Sequence, residues 1–274
     1  MNRIILRPTF FAVAILAGLL VPTFLQSQEP GTLPESKAPA PVLVAPAAAS
    51  PGAQVIAASN PKEYNPKLDW PWLGHFKEAN VALGAPSAGE SRVVFMGDSI
   101  TDFWKIEGPD GYFPGKPYIN RGISGQTTPQ MVLRFRQDVI ALQPKVVVIL
   151  AGTNDIAGNT GPMTLEQTED NLASMAELAA ANHIRVVLCS ILPAFDYPWK
   201  PGLTPAPKIL AINAWMKAFA AAKGYVYVDY HAAMKDQRDG LPANLSHDGV
   251  HPLPAGYAAM TPLVEAGIEK ALAQ

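Results

Sequence analysis

Four near-continuous apolar runs punctuate the chain. They are Arg92 to Met96, Lys145 to Ala151 (KVVVILA), Ile184 to Ile191 (IRVVLCSI) and Tyr225 to Asp229 (YVYVD). A strand with one wet face alternates apolar and polar residues, whereas a strand buried on both faces stays apolar. These runs therefore predict buried strands of a parallel sheet. Pro117 to Asn120 is a further short strand by the same reading.

Helical spacing fills the intervals. Thr164-Leu-Glu-Gln167 has the form of a capping box, and Leu165, Leu172, Met175, Ala176 and Ala179 then recur along one helical face. Pro207 to Lys223 carries Ile209, Leu210, Ile212, Trp215, Met216 and Phe219, and Gly224 ends it. Thr128 to Leu142 and Pro254 to Leu272 are two more helices. Strand and helix alternate, which predicts an α/β fold: a three-layer, doubly wound, mostly parallel five-stranded sheet of flavodoxin-like form.

The first 59 residues break both patterns. Arg3 and Arg7 precede an uncharged apolar run from Phe10 to Val21, and polar Gln26-Ser27-Gln28 follows. That is the form of an export signal over residues 1–28; an uncleaved N-terminal membrane anchor is the alternative. Either places the remainder outside the cytoplasm. Residues 29–59 hold six prolines and nine alanines, a composition that favours extended chain and cannot close a core. The folded domain is therefore expected at 60–274.

Composition narrows the function classes. Charged residues are 16% and the net charge is −2, so a basic protein tracking nucleic-acid phosphates is excluded. One cysteine excludes a disulfide framework and a thiolate zinc cluster within one chain. His247 and His251 are four apart, but Gly249 and Pro252 argue against a helix presenting both to a metal. There is no G-x-G-x-x-G, no Walker A run and no G-x-S-x-G elbow. No metal or organic cofactor is expected.

In doubly wound sheets, ligands bind beyond the carboxyl ends of the strands. Gly97-Asp98-Ser99 follows the first run, Asn120-Arg121-Gly122 the short strand, and Gly152-Thr153-Asn154-Asp155 the next. Asp248-Gly-Val-His251-Pro252 follows the last strand. These four segments, in this order, resemble the four signature blocks of the SGNH (GDSL) hydrolases, from about Arg92 to the C-terminus. Within that family the chain is similar to platelet-activating-factor acetylhydrolase-like and carbohydrate acetylesterase members. The resemblance implies a serine esterase acting on short acyl groups, often acetyl, with a small-molecule or glycan ester as substrate. It also implies an oxyanion hole made by the Ser99 and Gly122 amides and the Asn154 side chain.

The residue types fit that chemistry. A serine hydroxyl is a poor nucleophile until a base takes its proton. His251 is placed to do so and to return the proton to the leaving alcohol. Asp248, three residues earlier, would hold the imidazole in one tautomer. Ser99 as a helix cap, Gly122 as a turn glycine and Asn154 as a turn residue are the structural alternatives. Asp98 and Asp155 are expected to stabilise their own loop and turn, and Asp229 to be a structural or capping acid. His75, His183 and His231 read as non-catalytic, and Cys189 as a small core hydrophobe. Phe103, Trp104, Tyr197 and Trp199 are either rim aromatics or packing. Longer-chain lipolysis, acyl transfer and a non-catalytic carbohydrate-binding module are the rival functions.

Overall fold

A computed structural model describes residues 64–107 and 112–274. The predicted signal at 1–28 and linker at 29–59 lie outside the described residues. Five strands form the sheet: β1 Val93–Gly97, β2 Tyr118–Gly122, β3 Val146–Leu150, β4 Arg185–Cys189 and β5 Val226–Val228. Their order is β2-β1-β3-β4-β5 and every pairing is parallel. The chain moves outward from β1 to β2, then crosses back over β1 to reach β3. The order therefore reverses between β1 and β3, where a crevice opens at their carboxyl ends.

The near-continuous apolar runs are explained by two cores. Val94, Met96, Val147, Ile149, Val186 and Leu188 face one side. There they meet Met131 and Phe135 of α3 (Thr128–Asp138), Leu172 and Met175 of α5 (Leu165–Ala181), and Ile209 and Met216 of α6 (Ala206–Lys223). Val93, Phe95, Val146, Val148, Val187 and Cys189 face the other side. These pack on Trp104 of α2 (Ser99–Glu107) and on Tyr257, Met260, Val264 and Ile268 of α8 (Pro254–Leu272). Each fully buried side chain of this size contributes ~1.5–3 kcal/mol of transfer free energy. Short helices α1 (Lys77–Leu83), α4 (Thr153–Ile156) and α7 (Tyr230–Met234) complete the set.

Element ends depart from the sequence expectation for local reasons. The helix expected to run to Leu142 breaks at Val139 (φ −128°, ψ −67°), and a 3₁₀ turn follows over Ile140–Leu142. β4 stops at Cys189 rather than Ile191. Beyond it the Asn213 side chain of α6 receives the Ile191 N–H at 2.8 Å and donates to the Ile191 carbonyl at 3.0 Å, taking the place of a neighbouring strand. Thr164 caps α5 through the predicted box. Asp229 accepts from the Ala232 amide at 2.9 Å and caps α7, the role expected of it.

One buried cation ties the strand ends together. Arg134 of α3 is fully buried. Its guanidinium donates to the Gly97 carbonyl of β1 (3.1 Å), the Arg121 carbonyl of β2 (2.9 Å), Gln126 Oε1 (2.6 Å) and Asp138 Oδ2 (3.2 Å). Burial pulls its pKa down to about 10, against the opposing pull of Asp138, so it remains charged. A buried arginine without such partners would be strongly destabilising. Here it fixes the segments from which the site is built.

Candidate active site

β1 delivers Ser99 to the first position of α2. Asp98 Oδ1 accepts the Ile100 N–H at 3.0 Å, so Asp98 caps this helix. The Ser99 hydroxyl is thus left for another partner, and its amide lies in the first turn, where a helix offers no internal acceptor. Asp98 stabilises its own loop as expected, and its burial raises its pKa to about 7.

The base and its carboxylate come from the loop before α8. Leu253 N–H donates to the Leu245 carbonyl at 2.8 Å, and Ser246 and Pro252 form a bridge, which together close the loop. Within it, Asp248 Oδ1 accepts from Ser246 Oγ (3.0 Å), Val250 N (2.9 Å) and His251 N (2.8 Å). Asp248 Oδ2 lies 2.6 Å from His251 Nδ1, and His251 Nε2 lies 2.9 Å from Ser99 Oγ. Partial burial opposes ionisation of Asp248. The hydrogen bonds from His251 and Val250 outweigh it and hold the carboxyl down at about 2. An ionised carboxylate only accepts, so Nδ1 carries the proton and Nε2 is free to accept from Ser99.

Asn154 stands at the end of β3, in the buried turn of α4. Its Nδ2 donates to the Gln126 carbonyl at 3.0 Å and its Oδ1 accepts from Asn159 Nδ2 at 2.7 Å. The second Nδ2 hydrogen remains for a ligand. Gly122 is a correction to the sequence reading. Its amide donates to Asn120 Oδ1 at 2.8 Å and is not offered to the site. A Cβ at Gly122 would overlap the backbone of Asp102, so glycine is needed there for α2 to approach β2. A second glycine, Gly125, lies three residues on. It has φ +79° and open space around it, in the turn whose Gln126 carbonyl receives Asn154. The second glycine of Asn120-Arg-Gly-Ile-Ser-Gly125 was the available signal.

Asp155 does not simply serve its own turn. It accepts from the amide and hydroxyl of Thr128 and so fastens α4 to the start of α3. Burial raises its pKa to about 6. Of the four aromatics, Trp104 and Tyr197 are buried packing. Phe103 lies beside the His251 ring at 5.4 Å between centroids, and half-exposed Trp199 lies at 6.1 Å. Trp199 stacks on Tyr197 and donates from Nε1 to Asn159 Oδ1 at 3.1 Å. His247 is exposed, His75 packs on Trp72, and Cys189 is buried, its thiol pushed up to about 12.

A cavity of about 390 Å³ is bounded by the Ser124–Gln126 turn, Asn159 and the segment from Tyr64 to Trp72; Gln126 and Asn159 are the residues that hold Asn154. A second, of about 250 Å³, lies behind Asp248 and is walled by Phe195, Tyr197 and Arg238.

A model of the GDSL-like lipase/acylhydrolase family matches residues 95–259. A solved GDSL-like lipase from Bacteroides thetaiotaomicron is 46% identical, with a TM-score of 0.70, over 73% of this chain and 98% of that one. An acetylxylan esterase of Xylanibacter ruminicola is 29% identical over 69% of this chain, which spans 45% of that protein's length. An acetylxylan esterase of Geobacillus stearothermophilus is 27% identical over 61% of this chain and 88% of its own.

Proposed function

The chain belongs to the GDSL-like lipase/acylhydrolase family, and from that premise we propose that it is an exported serine esterase releasing short acyl groups, foremost acetyl, from carbohydrate. The observation that carries the reading is the unbroken hydrogen-bond chain Ser99–His251–Asp248, assembled from two separate segments beyond the carboxyl end of β1. Ser99 Oγ attacks the acyl carbonyl while His251 Nε2 takes its proton, and Asp248 stabilises the imidazolium. The tetrahedral oxygen is held by the Ser99 amide, the free Nδ2 hydrogen of Asn154 and the Gly125 amide, which takes the place expected for Gly122. Loss of one such donor typically costs about 10²–10³ in rate. The alcohol leaves with the proton from His251. Water, activated by the same imidazole, then cleaves the acyl-enzyme.

Two relatives named as acetylxylan esterases support the acetyl and glycan assignment. Export rests on the basic-then-apolar start of the chain, with 1–28 as signal, 29–59 as spacer and 60–274 as the hydrolase domain. Among the described residues no helix is long and apolar enough to cross a membrane.

The test compares p-nitrophenyl acetate with p-nitrophenyl octanoate, and measures acetate release from acetylated xylan. Ser99→Ala should lower acetate-ester turnover at least 10³-fold without altering the fold by circular dichroism. A preference for octanoate would move the reading to longer-chain lipolysis. Full activity in Ser99→Ala would remove the nucleophile.

A further inference from the structure

The segment Tyr64–Gly74 precedes the region shared with the family, yet it walls the larger cavity. Three of its main-chain carbonyls are held by glutamine side chains, and its own side chains add further ties. Gln130 Nε2 donates to the Trp70 carbonyl (2.8 Å), Gln126 Nε2 to the Pro71 carbonyl (2.8 Å) and Gln137 Nε2 to the Leu73 carbonyl (2.7 Å). Tyr64 Oη adds a bond to the Trp70 carbonyl at 2.9 Å. Asp69 ties the next turn by accepting from the Leu73 and Gly74 amides at 2.7 and 2.9 Å. Trp72 is fixed at φ +55°, a region that bulky residues rarely occupy. Strain of this kind persists only where the surroundings over-determine it, and it gathers at ligand sites.

The cavity's chemistry selects a neutral, ring-shaped ligand. Tyr64, Trp70 and Trp72 line it together with Ser124, Thr160 and Asn159, whose polar groups also bond Asp102, Thr127, Asn154 and Trp199, and no lining residue carries a charged side chain. Tyr64 and Trp70 keep 39% and 38% of their surface open, far more than packing requires. The volume of about 390 Å³ falls within the ~300–1,000 Å³ of small-molecule sites. It exceeds what an acetyl group needs. The cavity also adjoins the reacting centre: Gln126 and Asn159, two of its walls, are the hydrogen-bond partners of Asn154. Asn159 further bonds Trp199, whose ring neighbours His251, the group that protonates the leaving alcohol.

We infer that the Tyr64–Trp72 segment and the Gly125–Asn159 wall form a binding subsite for a pyranose ring of the neutral glycan that carries the ester. The inference rests on the esterase reading for its role in turnover, but binding itself does not require a working nucleophile. The test uses Trp72→Gly in the full chain. Glycine removes the indole and is the residue best suited to φ +55°, so backbone strain falls rather than rises. Two measurements are made on the parent and the variant. One is calorimetric binding of xylotetraose and cellotetraose, neither of which can be hydrolysed. The other is the ratio of kcat/KM for acetylated xylo-oligosaccharide to that for p-nitrophenyl acetate. The variant should weaken binding at least tenfold and lower the ratio at least tenfold, chiefly through KM. Val81→Ala, an exposed apolar change on α1, should move neither.

Outcomes separate the two readings. Binding in a parent that hydrolyses no ester would sink the esterase and leave the subsite standing. Turnover of p-nitrophenyl acetate with no detectable binding of either tetrasaccharide at about 10 mM, which corresponds to roughly −2.7 kcal/mol, would overturn the subsite. An unchanged ratio in Trp72→Gly would overturn it as well.

Discussion

Asp248→Asn probes the proposed triad through hydrogen-bond geometry. In the wild type Oδ1 accepts three donors, from Ser246 Oγ, Val250 N and His251 N, while Oδ2 receives His251 Nδ1–H. An asparagine must place its oxygen in one position and its NH₂ in the other. With the oxygen toward His251, two backbone N–H groups would face a donor. Each unsatisfied amide costs ~1–3 kcal/mol, so this orientation lies ~2–6 kcal/mol above the alternative. The Ser246 hydroxyl can rotate and adds little. The favoured orientation keeps Oδ1 in place and directs Nδ2–H at His251 Nδ1. The imidazole must then carry its proton on Nε2, where it faces Ser99 as a donor and cannot act as base.

The competent fraction is about 4 × 10⁻² to 5 × 10⁻⁵ at ~1.4 kcal/mol per decade, and kcat/KM should fall by roughly 30- to 20,000-fold. The upper end matches the ~10⁴ loss associated with an inverted tautomer in serine hydrolases. The Asp248 side chain is 39% exposed, so water relieves part of the penalty and draws the loss toward the lower end. Initial rates on p-nitrophenyl acetate between pH 7 and 9 read the effect, with Ser99→Ala as background and a thermal melt to verify the fold. Because the carboxyl titrates at about 2, wild-type Asp248 is ionised throughout that range. Activity within tenfold of the parent would refute the claim that the three donors fix the amide.

Two further predictions concern the segments around the site. Gly122→Ala forces a methyl group onto the Asp102 backbone; it should cost ~1–3 kcal/mol or more and lower Tm by roughly 2–4 °C per kcal/mol. Gly125→Ala meets no neighbour, but at φ +79° its Cβ is strained, at a cost of about 1–2 kcal/mol; it should lower kcat/KM by shifting the proposed oxyanion amide, and a larger kcat/KM loss in Gly122→Ala would restore Gly122 to consideration. Asp98 keeps its proton up to about pH 7 because it is buried, whereas the unfolded chain loses it near 3.8. Folding stability from this group is therefore whole below about pH 4 and is lost as pH rises through about 7. Asp98→Asn, which retains an acceptor for Ile100, should raise the urea midpoint relative to wild type more at pH 8 than at pH 4. The same offset at both pH values would contradict the assignment.

Much of the fold was legible because burial on both faces leaves a direct trace in composition. The runs around Val94, Val148 and Val187 could not have been half-wet strands, and a parallel sheet followed. Ser99 and Asn154 were legible as residues that follow β1 and β3, and Asp248 and His251 by their spacing ahead of the last helix; the fold sets His251 against both Ser99 and Asp248. Gly122 was misplaced because two glycines flank Ile123 and Ser124, and sequence does not reveal which amide a neighbouring asparagine has already taken. Asp155 misled for a similar reason, since its partner Thr128 is 27 residues away. Arg134 reads as an ordinary surface charge of a helix, although two of its four acceptors are carbonyls on β2 and β1. The Tyr64–Gly74 segment shows no periodicity at all.

That last point has a consequence for how such an enzyme can diverge. Gln126, Gln130 and Gln137 grip carbonyl oxygens at 70, 71 and 73, atoms that every amino acid carries. These three fastenings therefore do not depend on the side chains displayed at 70, 71 and 73. Substitutions at 70 and 73 can accumulate, and a different set of rings or polar groups can be presented, while the clamp and the hydrolytic centre remain unaltered. A graft of this segment into a relative would need the three glutamines as a set, and with them its selectivity would become an exchangeable part.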